Sequence, residues 1–169
     1  MLSFDIRALE SKAIRVDGEL APDDPVWQEG DPRPAEPIRV TGRLSTAGAG
    51  RYYFSGEMEG TMVAECRRCL TDVEVGVDDE AHFIFAEPGT EGADEPDVYL
   101  VDPRARDLDL RPAVREQWLL SAPSFVQCRD DCKGLCATCG ADLNAGECRC
   151  PPKTDSRWDA LRAQRGDAH

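Results

Sequence analysis

Residues 38–86 read IRVTGRLSTAGAGRYYFSGEMEGTMVAECRRCLTDVEVGVDDEAHFIFA. Apolar and polar positions alternate at Ile38, Val40 and Gly42, around Tyr53, at Met62 and Ala64, at Val73, Val75 and Val77, and at Phe83 and Phe85. A period of two is the signature of half-buried strands. Residues 47–50 supply a glycine turn and residues 65–70 a C-x2-C turn, and the carboxylates at 78–80 are expected to break a third run. The expectation is an antiparallel meander, forming a sheet or a partly open barrel.

Working outward, residues 21–37 hold five prolines among acidic residues. Proline blocks ladder and helix hydrogen bonding, so this is a loop, with Trp27 placed to dock on the core. Upstream, residues 2–20 mix short alternation with helix formers and read as a strand or a short helix. Downstream, EPGTEGADEPD at 87–97 is an exposed loop without an apolar anchor, and 98–101 a short strand. Asp109 is expected to cap a helix with Pro112 in its first turn and Val114, Trp118 and Leu119 at helical spacing, ending before Pro123. The fold class is α+β, with an acidic domain at 1–127 and a cysteine-rich tail at 128–169 that ends in a short helix from about Asp155 to Gln164, where Trp158 and Leu161 form one apolar stripe.

The chain has 169 residues, 41% hydrophobic and 31% charged, with a formal net charge of -13. One core with an appended element is the default at this length. No window approaches the roughly 20 apolar residues that span a bilayer. Met1 to Lys12 interleaves Asp5, Arg7 and Glu10 with its apolar residues, so a cytoplasmic location is expected. Before Cys128 there are 13 Lys/Arg against 26 Asp/Glu, and from Cys128 onward seven of each. The first domain therefore carries the whole acidic excess, which repels phosphate backbones and fits a basic protein partner better than bare RNA.

All eight cysteines fall in short-spaced groups: Cys66 and Cys69, Cys128 and Cys132, Cys136 and Cys139, Cys148 and Cys150. A tight turn with two thiolates supplies half of a tetrahedral zinc site while its amides hydrogen-bond the sulfurs. Eight thiols count out to two Zn²⁺ sites, with Gly134 and Gly140 where such turns want positive φ. Cys136, Cys139, Cys148 and Cys150 can close locally at little entropic cost. Cys66 and Cys69 with Cys128 and Cys132 would close a long loop and tie the sheet to the tail. One site with free thiols is the alternative. A disulfide framework is disfavoured because close pairs are poor staples, and a redox C-x2-C because Cys66 and Cys69 precede strand alternation rather than a helix.

Nothing points to catalysis. A catalytic zinc keeps an open position near a general base, and the two histidines are His82, inside an expected strand, and the terminal His169. No H-E-x-x-H, G-x-S-x-G or phosphate-cradling glycine loop is present.

The C-R-R-C turn at 66–69, the run CRDDCKGLCATCGADLN from Cys128, the C-R-C at 148–150 and D-S-R-W-D-A-L with Asp155, Arg157 and Leu161 together resemble the YceD family over most of the chain. That resemblance implies a bacterial or plastid factor for accumulation of the large-subunit ribosomal RNA. Shortened members that lack the second cysteine cluster imply that Cys66, Cys69, Cys128 and Cys132 form one unit. With the charge, it leads to the expectation of a large-subunit ribosomal protein or pre-ribosomal particle as partner. Direct RNA contact is the rival, through Arg129, Lys133, Arg149, Lys153 and Arg157. A zinc-ribbon adaptor in transcription or another complex is the alternative function; it shares the cysteines but needs no acidic sheet domain.

Overall fold

The computed structural model describes residues 1–151 and 156–158. Its centre is an open five-stranded sheet in the order β2-β3-β4-β5-β6, built from β2 (Ile14–Leu20), β3 (Ile38–Thr46), β4 (Arg51–Glu65), β5 (Asp72–Ala86) and β6 (Val98–Leu100). The first four strands pair antiparallel, whereas β6 runs parallel to β5, so the sheet is mixed and does not close into a barrel. Residues 2–20 hold both elements that their pattern left open: β1 (Ser3–Asp5), α1 (Ile6–Ser11) and β2. β1 pairs with β7 (Asp107–Asp109) as a separate two-stranded ribbon.

Alternation along the strands lays Val16, Val40, Leu44, Phe54, Met58, Phe83 and Phe85 on one face. Leu2, Leu9 of α1, Leu108, Leu110, and Val114 and Trp118 of α2 (Arg111–Ser121) complete the core. Burying such side chains contributes about 1.5–3 kcal/mol each. Trp118 is fully buried, donates its indole N–H to the Pro32 carbonyl at 2.7 Å and stands over Gly60, where a Cβ would lie 2.8 Å from the ring. The proline-rich loop is thus held to the core. Trp27 is buried there and donates to the Ala21 carbonyl, and Asp31 forms a two-pronged ion pair with Arg115 at 2.7 and 2.8 Å.

Three expectations change. The carboxylates at 78–80 do not break a run: β4 and β5 are each 15 residues long and pair without interruption from Arg51↔Ala86 to Glu65↔Asp72. The reason is that Asp79 has partners on the covered face, accepting from Gln117 Nε2 at 2.8 Å and from the Ser121 hydroxyl, which anchors α2. Leu110, not Asp109, occupies the cap position of α2; Asp109 accepts from the Arg111 N–H at 3.0 Å and pairs with its guanidinium. The loop at 87–97 is not wholly exposed, since Ala93 is buried and Arg51 donates to the Glu91 carbonyl. The expected last helix from about Asp155 falls mostly outside the described residues, of which Ser156–Trp158 form a 3-10 turn.

Candidate metal centres

The outer half of the β4–β5 hairpin runs beyond the end of β3, whose last partner on β4 is Glu59. Its tip is the turn Cys66-Arg67-Arg68-Cys69-Leu70, in which Leu70 N–H bonds the Cys66 carbonyl at 2.8 Å and Cys66 N–H bonds Thr71 at 2.8 Å. The tail repeats this turn: in Cys136-Ala137-Thr138-Cys139-Gly140 the Gly140 N–H bonds Cys136 at 2.9 Å and Cys136 N–H bonds Ala141 at 2.8 Å. Both turns need a left-handed residue after the second cysteine, Gly140 at φ 73° and Leu70 at φ 60°. For a leucine that conformation costs roughly 1–2 kcal/mol.

The two turns nucleate two quartets. The Sγ atoms of Cys66, Cys69, Cys128 and Cys132 lie within 4.8 Å of one another, as do those of Cys136, Cys139, Cys148 and Cys150. Cys66 to Cys132 is 3.9 Å and Cys69 to Cys128 is 3.6 Å. A tetrahedron with bonds of about 2.3 Å has edges of about 3.8 Å, so the first quartet has the spacing of a four-thiolate metal site. Cys66, Cys69 and Cys132 are buried and Cys128 half-buried, whereas in the second quartet Cys139 is exposed and the others half-buried. No histidine or carboxylate joins either quartet among the described residues.

Backbone bonds lock the first quartet across the chain. Arg67 N–H donates to Val126 at 2.8 Å and Leu135 N–H to Arg68 at 3.0 Å. Gly134, at φ 74°, lets the tail pass the hairpin, since a Cβ there would lie 2.9 Å from the Arg68 carbonyl oxygen. Asn144, in the segment between Cys139 and Cys148, reaches the first quartet: its amide lies 3.5 Å from Cys132 Sγ while its oxygen accepts from Lys133 N–H at 2.8 Å. Such outer partners orient thiolate ligands. Asn144 was passed over because a lone asparagine in a turn has no distinctive spacing.

The electrostatics divide each quartet. Backbone N–H groups of Cys128, Arg68 and Cys69 hold the Cys66 thiol down at about 6, while burial and the neighbouring thiols of Cys132 and Cys69 push Cys128 up to about 12. In the tail, the N–H groups of Cys139 and Thr138 hold Cys136 at about 6, and the Cys139 thiol beside Cys150, with burial, pushes it up to about 12. Four thiolates so close repel one another, and a bound cation removes that conflict. Either quartet could therefore hold a metal ion.

The other residues singled out by sequence are dispersed. Arg129 pairs with Asp131 at 3.4 Å, and Lys133 and Arg149 are exposed beside the first and second quartets. Arg157 lies in the 3-10 turn, and Lys153 is outside the described residues. His82 stacks on Tyr53 and bonds its hydroxyl at 2.9 Å, far from any cysteine in the β5 register. No described helix is long and apolar enough to cross a membrane.

No solved structure matches the chain. Among curated proteins, ML1660 of Mycobacterium leprae is 34% identical over 93 residues, 53% of this chain and 42% of that protein. YlbN of Bacillus subtilis is 28% identical over 101 residues, 60% of this chain and 57% of that protein. A maize chloroplastic protein named as a large ribosomal RNA subunit accumulation protein YCED homolog is 29% identical over 83 residues, 48% of this chain and 22% of that protein. The chain thus spans about half the length of the first of these curated relatives. The family model described as large ribosomal RNA subunit accumulation protein YceD matches residues 54–163, which takes in most of β4, all of β5 and α2, and all eight cysteines, and the chain belongs to that family.

Proposed function

We propose that this protein is a non-enzymatic cytoplasmic factor for accumulation of the large-subunit ribosomal RNA, that each quartet holds Zn²⁺, and that it engages a basic ribosomal protein or a precursor particle. The family and the maize relative's name support the role. Four cysteines per site leave no protein-supplied open position, which is the pattern of structural rather than catalytic zinc. In this reading residues 1–127 are the acidic module and 128–169 the metal-binding tail, with the first quartet joining them.

The observation that carries the partner's chemistry is the register on the open face of β4 and β5. It sets Glu57 opposite Glu80, Glu59 opposite Asp78 and Glu65 opposite Asp72, all exposed; the one lysine or arginine of either strand on that face is Arg51, at the far end of β4, which donates to the Glu91 carbonyl, while Arg39 of β3 lies opposite Glu59 and pairs with Asp17. Like charges directly opposite destabilise a sheet, by up to about 1 kcal/mol per pair, and a basic partner relieves them. Purification of the tagged full chain, with its co-purifying proteins and RNA quantified, should enrich large-subunit proteins or precursors. Replacing Glu57, Glu59, Asp78 and Glu80 by lysine should remove the protein fraction. Enrichment of RNA polymerase in their place would favour the adaptor role instead, and enrichment of neither sinks the proposal.

A further inference from the structure

The two cysteine turns share a backbone but not a surface. In the tail, Ala137, Thr138 and Gly140 present almost nothing, whereas the hairpin tip presents Arg67, Arg68 and Leu70. Leu70 takes the left-handed conformation that Gly140 adopts freely, and its side chain is 57% exposed, so packing among the described residues offsets little of the strain. Phe125 is 77% exposed, with the Arg67 guanidinium 5.8 Å from its ring centroid. Arg67 and Arg68 have no carboxylate within 4 Å among the described residues. The bonds from Arg67 to Val126 and from Leu135 to Arg68 hold this group rigidly against the first quartet.

From this grouping we infer that the hairpin tip is a contact surface for unpaired nucleotides of RNA, with Phe125 as a stacking platform and Arg67 and Arg68 on the phosphates. The inference deepens the ribosomal reading above and rests on it. An exposed ring beside guanidinium groups offers what a splayed-out base and its phosphate require. An A-form duplex presents phosphates but no base faces, so it would leave the ring unused. A basic protein is repelled by two arginines that pair with no carboxylate among the described residues, and it has the carboxylate face of β4 and β5 available instead. The net charge of -13 keeps an RNA strand off the rest of the molecule, which leaves the tip as the place of approach.

The test is fluorescence anisotropy of the full zinc-loaded chain with a labelled single-stranded dodecamer RNA and with its duplex, over a range of salt. Single strand should bind better than duplex. With two phosphates engaged, the slope of log K against log salt should be about -1.4. The Arg67→Ala/Arg68→Ala variant should flatten that slope. Phe125→Ala should weaken binding about 5- to 150-fold with the slope kept, and Phe125→Tyr should restore it. Unchanged metal content and melting show that the variants are folded. Equal binding of duplex, or single-strand binding indifferent to Phe125, overturns the inference. The same variants are then followed into large-subunit precursors: if they associate as well as the unmodified chain, the tip inference falls while the ribosomal reading stands, and if the unmodified chain does not associate, that reading falls too. Loss of association without any RNA binding makes the tip a protein contact and overturns the RNA assignment.

Discussion

Replacing Cys66 by serine should open the cross-link that a metal held by the first quartet would make between the hairpin tip and the tail. The pairs it joins, Cys69 to Cys128 and Cys66 to Cys132, are 59 and 66 residues apart. For a covalent cross-link, closing a loop of that length removes chain entropy equivalent to about 4 kcal/mol. Cys139 and Cys148, by contrast, are close in sequence, and the same relation gives about 2.5 kcal/mol for that closure. Domain stabilities are about 5–15 kcal/mol, so the first loss is a large fraction of the whole. At about 2–4 °C per kcal/mol, Cys66→Ser should lower the melting temperature by about 8–16 °C. Cys139→Ser should spare the far-ultraviolet signal of the sheet and its main transition, because no core residue belongs to that quartet. Thermal melting of both variants, before and after chelation, reads these differences; the unmodified chain should fall to the Cys66→Ser curve when its metal is removed. If Cys66→Ser melts with the unmodified chain, or Cys139→Ser costs the sheet as much, the hairpin and tail are not held by that site.

Metal retention should depend on pH with a definite sign. Cys66 and Cys136 are held at about 6, below the ordinary thiol range, so their contribution is complete above that range and is lost as pH falls through about 6; competition with a chromophoric chelator from pH 8 to 5 should show release on the acid side only. Asp31 is held below the usual carboxylate range by its bonds from Arg115 and from the Gln28 N–H, so the proline-rich loop keeps this support above about pH 4 and loses it as pH falls further. The difference in urea midpoint between the unmodified chain and Asp31→Asn should therefore shrink on acidification. Trp118→Ala should cost about 3–5 kcal/mol in urea unfolding, since it empties a fully buried site and orphans the Pro32 carbonyl. Gly134→Ala should cost about 1–3 kcal/mol and weaken metal retention, because its Cβ meets the Arg68 backbone.

Much of the sheet was legible because alternation is local. Val40, Phe54, Phe83 and their neighbours announce a buried face from spacing alone, and Trp27 and Trp118 announce core anchors. Asp79 was misread as a break because its partners, Gln117 and Ser121, lie 38 and 42 residues away. The parallel docking of β6 was equally invisible, since a three-residue strand carries no directional signal.

For the cysteines, spacing alone determined the inventory of four short groups and the soft-donor chemistry they share, because two thiols on one tight turn are a local fact. Tertiary structure decided which Sγ atoms stand within 4.8 Å of one another, that the carboxylates of β4 and β5 oppose each other, and that Phe125 meets Arg67 of the turn that holds the left-handed Leu70. The physical reason is that register and long-range closure depend on how distant segments share one core, and no window of sequence contains both partners.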